Sequence, residues 1–298
     1  MKEEKMDFQN SLTENGFLII NNVFRDEEIA NLRNSVTNYM NKCDISFSSY
    51  GGKTQPNAAC VLPNLAWIFY HPKVLSIMRE LLQTENIMFT SHCDVHSRTL
   101  SGWHKDDGMM VMEGGYFEKP SYNLDDCQVY KIAIYLQDHY YNLGGLRVRS
   151  KSHRLSTLDQ GEEVYLRTKA GDIVIFDVRL THTGQTEVIP VPWLLKPIGL
   201  LTRVLHKLFR IPYSKFNSWL KTFYDSIAGD RLSIFFTFGY PNEYTIKFAQ
   251  NNMRRQLAQD PKSSVYLPKV LRQQLLENGV LLAEDYFSDL KPLETIKR

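Results

Sequence analysis

Cysteine is scarce in this 298-residue chain, and Cys43, Cys60, Cys93 and Cys127 stand far apart with no CxxC pair. A tight disulfide framework is therefore excluded, and reduced thiols in a cytoplasmic setting are expected. No charge of one sign dominates: 35 Lys and Arg face 33 Asp and Glu, for a net charge of +2. So even a balance excludes nucleic-acid binding through an overall basic field, and an electrostatic partner must meet a local patch. Uninterrupted apolar runs of roughly 18 residues, the length a membrane-spanning helix needs, are missing. The opening MKEEKMDFQN lacks the basic start and apolar run of a secretory signal. Internal repeats and low-complexity tracts are absent too. What the chain does have is apolar material, 43% of its residues, enough to bury the core of one large domain.

Residues 26–42, DEEIANLRNSVTNYMNK, space Ile29, Leu32, Val36 and Met40 by three and four behind an acidic start, which predicts an amphipathic helix. GFLIINNVF before it reads as a strand, and PKVLSIMRELL after it as a second helix. From about residue 87 the pattern changes to short apolar or alternating runs: NIMFTSHCDVHS, VYKIAIYLQD, GLRVRS, EVYLRT, GDIVIFDV and RLSIFFTFG. Such spacing predicts an antiparallel sandwich or barrel. Past Pro261 the tail returns to helix, PKVLRQQLLENG, with Gly279 where a C-cap prefers it. The expected fold class is α+β, with helices around a β-core in a single domain over residues 1–298.

GWHKDDG places His104 and Asp106 two positions apart, and side chains at i and i+2 leave the same face of an extended strand. GDIVIFDVRLTHTGQ then runs as an apolar strand into His182, which an antiparallel neighbour could bring against the first pair. Two His and one Asp would form a facial triad that leaves three positions of a ferrous ion open, whereas a structural zinc site closes its fourth. His-x-Asp by itself is a weak signal, and the chain holds a second copy, His92-Cys93-Asp94. A hydrogen-bonded core or surface imidazole is the competing reading of any one His here. Farther on, DRLSIFFTF puts Arg231, Ser233 and Thr237 on one face of an otherwise apolar strand. A guanidinium there needs an anion, and a carboxylate suits its planar fork beside a hydroxyl. The competing partner is a protein carboxylate, Asp230 or Asp172.

Together these residues resemble the phytanoyl-CoA dioxygenase family of Fe(II)- and 2-oxoglutarate-dependent oxygenases, from about Asn15 to Gly239. ENGFLIINNVFRDEEIANLR is similar to the family's opening strand and helix, and HPKVLSIMRELL continues it. The specific part is the ordered set WHKD, GGLRVRSKSHR, GDIVIFDVRLTHTG and RLS. The resemblance implies a double-stranded β-helix (jelly-roll, cupin-like) core with flanking helices. It also implies that His104, Asp106 and His182 bind Fe(II), that Arg231 and Ser233 hold the distal carboxylate of 2-oxoglutarate, and that O2 is consumed. His92 and Asp94 precede the matching Trp103 and lose to the later pair, and His153 is structural. Asp106 favours hydroxylation, since related halogenases carry a small residue there; desaturation and ring formation use the same ligands and stay open.

Two departures stand out. The family's usual Pro-Gly before Ser-His is Ser150-Lys151 here, and 48 residues separate His182 from Arg231 where the family has a short connection. Residues 188–222 of that insertion hold Lys196, Arg203, Lys207, Arg210, Lys215 and Lys221 and no acid. PIGLLTRVLHKLFR sets Ile198, Leu201, Leu205 and Leu208 on one stripe and the basic residues on the other side. The pattern predicts a helical insertion, 187–230, that rests on an anionic membrane surface through residues 188–224. A lid or a dimer-contact helix is the competing reading. The expected substrate is then a lipid or lipid-linked molecule, an anionic glycan included, at the inner face of a membrane. The alternatives are a soluble oxygenase tailoring a small metabolite or acyl thioester, and a cupin-like binding protein without catalysis. Lys105, Lys131, Arg147, Arg149 and Lys151 lie in the pocket segments, as anion-recognition groups or as solvated strand ends. Tyr130, Tyr135 and Tyr140 are expected to pack in the barrel.

Overall fold

In this computed structural model, residues 8–43, 52–99, 101–139, 145–184, 231–259, 264–288 and 290–293 are described. The expected basic helix at 188–224, Tyr140 and Asp230 lie outside them. The helices that the apolar spacing predicts are present. In α2 (Asp26–Lys42), which follows a short α1 (Phe8–Asn15), the buried residues are Ile29, Leu32, Val36 and Met40. Its first turn holds Asp26, Glu27 and Glu28, which suits the positive end of the helix dipole. Glu28 also accepts the backbone N–H of Arg25 at 2.8 Å, satisfying a donor at the helix start. A short α3 (Ala58–Val61) precedes α4 (Pro72–Leu82), which starts on Pro72 and buries Val74, Leu75, Met78, Leu81 and Leu82.

Ten strands are described: β1 (Phe17–Ile20), β2 (Lys53–Gln55), β3 (Ile87–Ser97), β4 (Val129–Tyr135), β5 (Leu146–Ser150), β6 (Glu162–Leu166), β7 (Ile173–Asp177), β8 (His182–Thr183), β9 (Leu232–Gly239) and β10 (Val280–Leu282). They form a seven-stranded sheet, β1-β7-β4-β9-β3-β10 with β2 on β3, and a three-stranded sheet, β6-β5-β8. Side-chain parity divides the core in two. Ile132, Ile134, Ile175, Ile234 and Phe236 point to one side of the large sheet and join Leu32, Val36, Phe69, Leu75 and Met78 under the helices. Ala133, Tyr135, Val174 and Phe176 point to the other side and meet Leu146, Val148 and Leu166 of the small sheet. The interior between two facing sheets, with helices outside, is the double-stranded β-helix arrangement expected from the sequence.

The face that looks into this interior also carries the polar groups. Across it, His96 of β3, Ser233 of β9 and Tyr135 of β4 lie in register, as do Asp94, Phe235 and Ala133. A bulge interrupts β3, which takes four residue steps from Phe89 to Cys93 where β9 takes two, with Ser91 at φ 63°. Bulges concentrate beside functional sites and re-aim the strand.

The carboxyl-terminal region differs from the sequence reading. Helix returns at 243, as α5 (Glu243–Gln259), well before Pro261; α6 (Lys269–Glu277) follows it. The buried face of α5 mixes the polar Thr245, Asn251, Asn252 and Gln256 with Phe248, Ala249 and Met253, so its apolar period is diluted. Gly279 lies just past α6 at φ 71°, the left-handed position that glycine favours. Beyond it β10 pairs in parallel with β3, a three-residue strand too short to stand out from a helical tail.

Candidate active site

His104 and Asp106 do not sit on a long strand as the i, i+2 spacing suggested. The segment is irregular and is tied down by a single antiparallel bridge, in which the backbone N–H groups of His104 and His182 donate to one another's carbonyls at 3.0 and 2.9 Å. Asp106 adds a third bond, donating its N–H to the Val178 carbonyl at 2.8 Å. The stretch leading to His182 is fixed in turn by Arg179. Its guanidinium donates to both oxygens of Asp177, at 2.9 and 2.7 Å, and to the carbonyls of Leu124 and Cys127.

This backbone brings the three side chains together. One ligand atom from each of His104, Asp106 and His182 lies within 4.8 Å of the others. Nε2 of His182 is 3.3 Å from Oδ2 of Asp106, and Nε2 of His104 is 3.8 Å from Oδ1. The Nδ1 of His104 meets the Gly102 carbonyl at 2.7 Å, and that of His182 meets the Leu180 carbonyl at 2.9 Å. A carbonyl only accepts, so each Nδ1 carries the proton and each Nε2 presents a lone pair inward, as metal-binding imidazoles require. Burial pushes the His104 imidazole down to about 4, so it is neutral near pH 7. Burial opposes ionisation of Asp106, but Lys131 and the two imidazoles outweigh it and hold the carboxyl well below the usual range. Lys131 Nζ stands 2.6 Å from Oδ2 of Asp106. Two imidazole nitrogens and one carboxylate fit a single divalent ion with coordination positions left over.

The second copy of His-x-Asp is built differently. His92 Nδ1 bonds Thr237 Oγ1 at 3.0 Å and its Nε2 bonds Asp94 Oδ2 at 3.1 Å, so both ring nitrogens are committed. His153 is also elsewhere, its Nε2 donating to the Thr13 carbonyl.

Arg231 is 4% exposed and lies over the Tyr135 ring at 5.5 Å, donating to the Thr99 carbonyl. Gly184 lets it in: a Cβ there would lie 3.0 Å from Nη2 of Arg231. Asp172, one of the competing partners, is instead engaged by the backbone N–H groups of Asn22 and Lys169. Between Arg231 and Phe235, which both line the cavity, Ser233 is fully buried, and its Oγ has no hydrogen-bond partner among the described residues. A buried hydroxyl without a partner beside a guanidinium suits a carboxylate ligand that would supply the missing acceptor.

The triad and Arg231 open on one cavity of about 270 Å³ between the sheets. Of the five basic residues noted in the pocket segments, only Lys105 and Lys131 line it. Lys105 donates to the carbonyls of Ser152 and Leu155 at 2.6 Å each and so fastens the loop. Arg147 and Arg149 pair with Glu163, and Arg149 also stacks over Trp103 at 4.6 Å. Lys151 is exposed at φ 67°, where the family's glycine would sit without strain. Tyr130 packs under the helices and Tyr135 between the sheets. Sequence reasoning missed Asn252 and Arg255 of α5, which line the same cavity.

No curated protein sequence matches the chain. Its fold is similar to that of the α-ketoglutarate-dependent epimerase SnoN from nogalamycin biosynthesis, at 12% identity over 78% of this chain and 80% of that one, with a TM-score of 0.53. HygX from Streptomyces hygroscopicus, solved with nickel and 2-oxoglutarate bound, is similar at 13% identity over 80% and 88%, with a TM-score of 0.54. The carbocyclase SnoK from nogalamycin biosynthesis matches at 14% identity over 80% and 84%, with a TM-score of 0.52. Identities this low speak for the fold. In sequence, residues 12–187 match the phytanoyl-CoA dioxygenase (PhyH) family, a span that includes His104, Asp106 and His182 and ends before Arg231. The chain is therefore a member of the phytanoyl-CoA dioxygenase family, enzymes that use iron, 2-oxoglutarate and O2.

Proposed function

We propose that His104, Asp106 and His182 hold Fe(II), that Arg231 and Ser233 receive the distal carboxylate of 2-oxoglutarate, and that the enzyme hydroxylates a small molecule bound between its sheets. The convergence of two Nε2 lone pairs and one carboxylate carries this reading. Iron with 2-oxoglutarate supplies oxidative decarboxylation, giving succinate and CO2 while one oxygen atom goes to the substrate. The chain's own part is to hold and orient: backbone carbonyls fix both imidazoles, Lys131 orients Asp106, and the apolar inter-sheet core limits water.

A small metabolite suits the site better than a membrane lipid. The cavity lies between the sheets and is about 270 Å³ in volume, and SnoN and SnoK, of similar fold, belong to nogalamycin biosynthesis. The membrane reading rests on the sequence of 188–224 alone, outside the described residues. In this proposal residues 1–298 are one oxygenase domain that carries an insertion at 187–230, outside the described residues.

The test is succinate formation from 2-oxoglutarate by the protein with Fe(II), ascorbate and O2, in the presence of a metabolite extract. Substrate-dependent succinate that disappears in Asp106→Ala is expected. No succinate above background, together with no Fe(II) binding, would overturn the assignment.

A further inference from the structure

The cavity has a polar wall that neither the metal nor the cosubstrate uses. Asp94 and His96 of β3 and Asn252 and Arg255 of α5 line it beside the triad. Asp94 is already engaged, its Oδ2 by His92 at 3.1 Å and its Oδ1 by the Gln256 amide at 2.9 Å. Arg255 is held by neutral oxygens, donating from Nη1 to Gln259 Oε1 at 3.1 Å and from Nη2 to Asn252 Oδ1 at 3.2 Å. Its nearest carboxylate oxygen, on Asp94, is 3.9 Å away, and its buried Nε has no hydrogen-bond partner among the described residues.

The same chain shows what a structural arginine looks like. Arg179 grips both oxygens of Asp177, and Arg272 reaches Glu284 at 2.7 Å and Asp285 at 2.5 Å. Arg255 instead has only a long ion pair among the described residues, 3.9 Å to Asp94, with no carboxylate gripped by its fork. Charge counting among the described residues agrees: Lys105, Lys131, Arg231 and Arg255 line the cavity against Asp94 and Asp106, four cations less two anions, or +2. Binding Fe(II) and the 2-oxoglutarate dianion adds and removes two charges, so the surplus survives loading. On largely buried groups such a surplus favours an anion, and a guanidinium fork takes a carboxylate or phosphate through paired hydrogen bonds.

We infer that Arg255, set by Asn252 and Gln259, anchors an oxyanion of the substrate, so that the enzyme acts on a small carboxylate- or phosphate-bearing molecule. This rests on the reading of the site as an Fe(II)/2-oxoglutarate centre.

Calorimetric titration of the full-length protein, loaded with Zn(II) and saturating 2-oxoglutarate, tests it with three probes of similar size: benzoate, phenyl phosphate and neutral benzamide. At least one anion should bind about tenfold or more tightly than benzamide, and the two anions separate carboxylate from phosphate preference. Arg255→Gln should lower that anion's affinity about tenfold or more while 2-oxoglutarate affinity stays within about twofold. Arg255→Lys keeps the charge without the fork and should fall between; if Arg255→Gln does not fold, this variant decides, an anion affinity equal to wild type counting against the inference. Benzamide binding as well as both anions, or anion affinity unchanged in Arg255→Gln, would overturn it. If wild type fails to bind Zn(II) or 2-oxoglutarate, the reading of the metal site falls, and anion titration of the unloaded protein against Arg255→Gln judges the anchor separately.

Discussion

Lys131 Nζ lies 2.6 Å from Oδ2 of Asp106, the shortest approach of a charged group to the triad among the described residues, and it comes from β4, a strand buried along its whole length. The ammonium shares Oδ2 with His182, whose Nε2 is 3.3 Å from it, and Oδ1 lies 3.8 Å from Nε2 of His104, so Lys131 fixes the rotation of the carboxylate between the two imidazoles. Lys131→Met, which keeps the length and removes the charge, should weaken Fe(II) binding about 10- to 100-fold, as losses of outer hydrogen bonds to metal ligands do. Anaerobic calorimetry with Fe(II) measures this, and an unchanged affinity would remove Lys131 from the site.

The two His-x-Asp copies make opposite predictions. His104→Ala or Asp106→Ala should abolish Fe(II) binding, while His92→Ala retains it and loses stability, about 1–3 kcal/mol for stranding Asp94 and Thr237 in a buried site. Metal content after dialysis and urea unfolding separate the outcomes; iron loss in His92→Ala with a fully folded protein would reverse the assignment.

Arg231→Ala should raise the 2-oxoglutarate requirement roughly 10- to 100-fold with Fe(II) still bound, the range expected for a charge-assisted carboxylate pair. Ser233→Ala removes one neutral donor and should cost only several-fold. The ratio of the two KM values is the diagnostic measurement.

Acid sensitivity should originate partly on β3. Burial, together with Arg231, Lys131 and His92, pushes His96 down to about 4, although Asp94 pulls the other way. Because the unfolded chain takes up this proton near pH 6.5 and the folded one only near 4, stability is full above about 6.5 and drains as pH falls between the two values. The Tm of metal-free protein should therefore drop from pH 7 to pH 4.5, and His96→Gln should drop less steeply. Equal slopes would show that His96 does not contribute.

Gly108 follows the metal loop at φ 78°, and a Cβ there would come within 2.4 Å of the Tyr116 ring. Gly108→Ala should cost about 1–3 kcal/mol from backbone strain and crowding together, read by urea unfolding.

Legibility in the sequence followed chemistry and period. His104, Asp106, His182 and Arg231 stand in a fixed order between apolar strands, and the structure gathers them on one cavity. The lone Lys131 in VYKIAIY was a usable signal, since a cation buried in an apolar strand needs an anion nearby. Arg255 gave none, because α5 buries amides such as Asn252 and Gln256 among its apolar residues and an arginine on such a helix reads as solvated. Register also stays hidden: nothing in NIMFTSHCDVHS announces the bulge at Ser91 that sets His92, Asp94 and His96 beside β9.

The place of β9 in the large sheet has a consequence for biosynthesis. It is hydrogen-bonded to β3 on one edge and β4 on the other, and β3 is bordered beyond by β10 at residues 280–282. A nascent polypeptide halted on the ribosome at Gly184 already contains both imidazoles and the aspartate, yet the strands on either side of the gap have no common neighbour to join them. The pocket therefore cannot close until β9 has joined β3 to β4 and α5 has brought Arg255 to its wall.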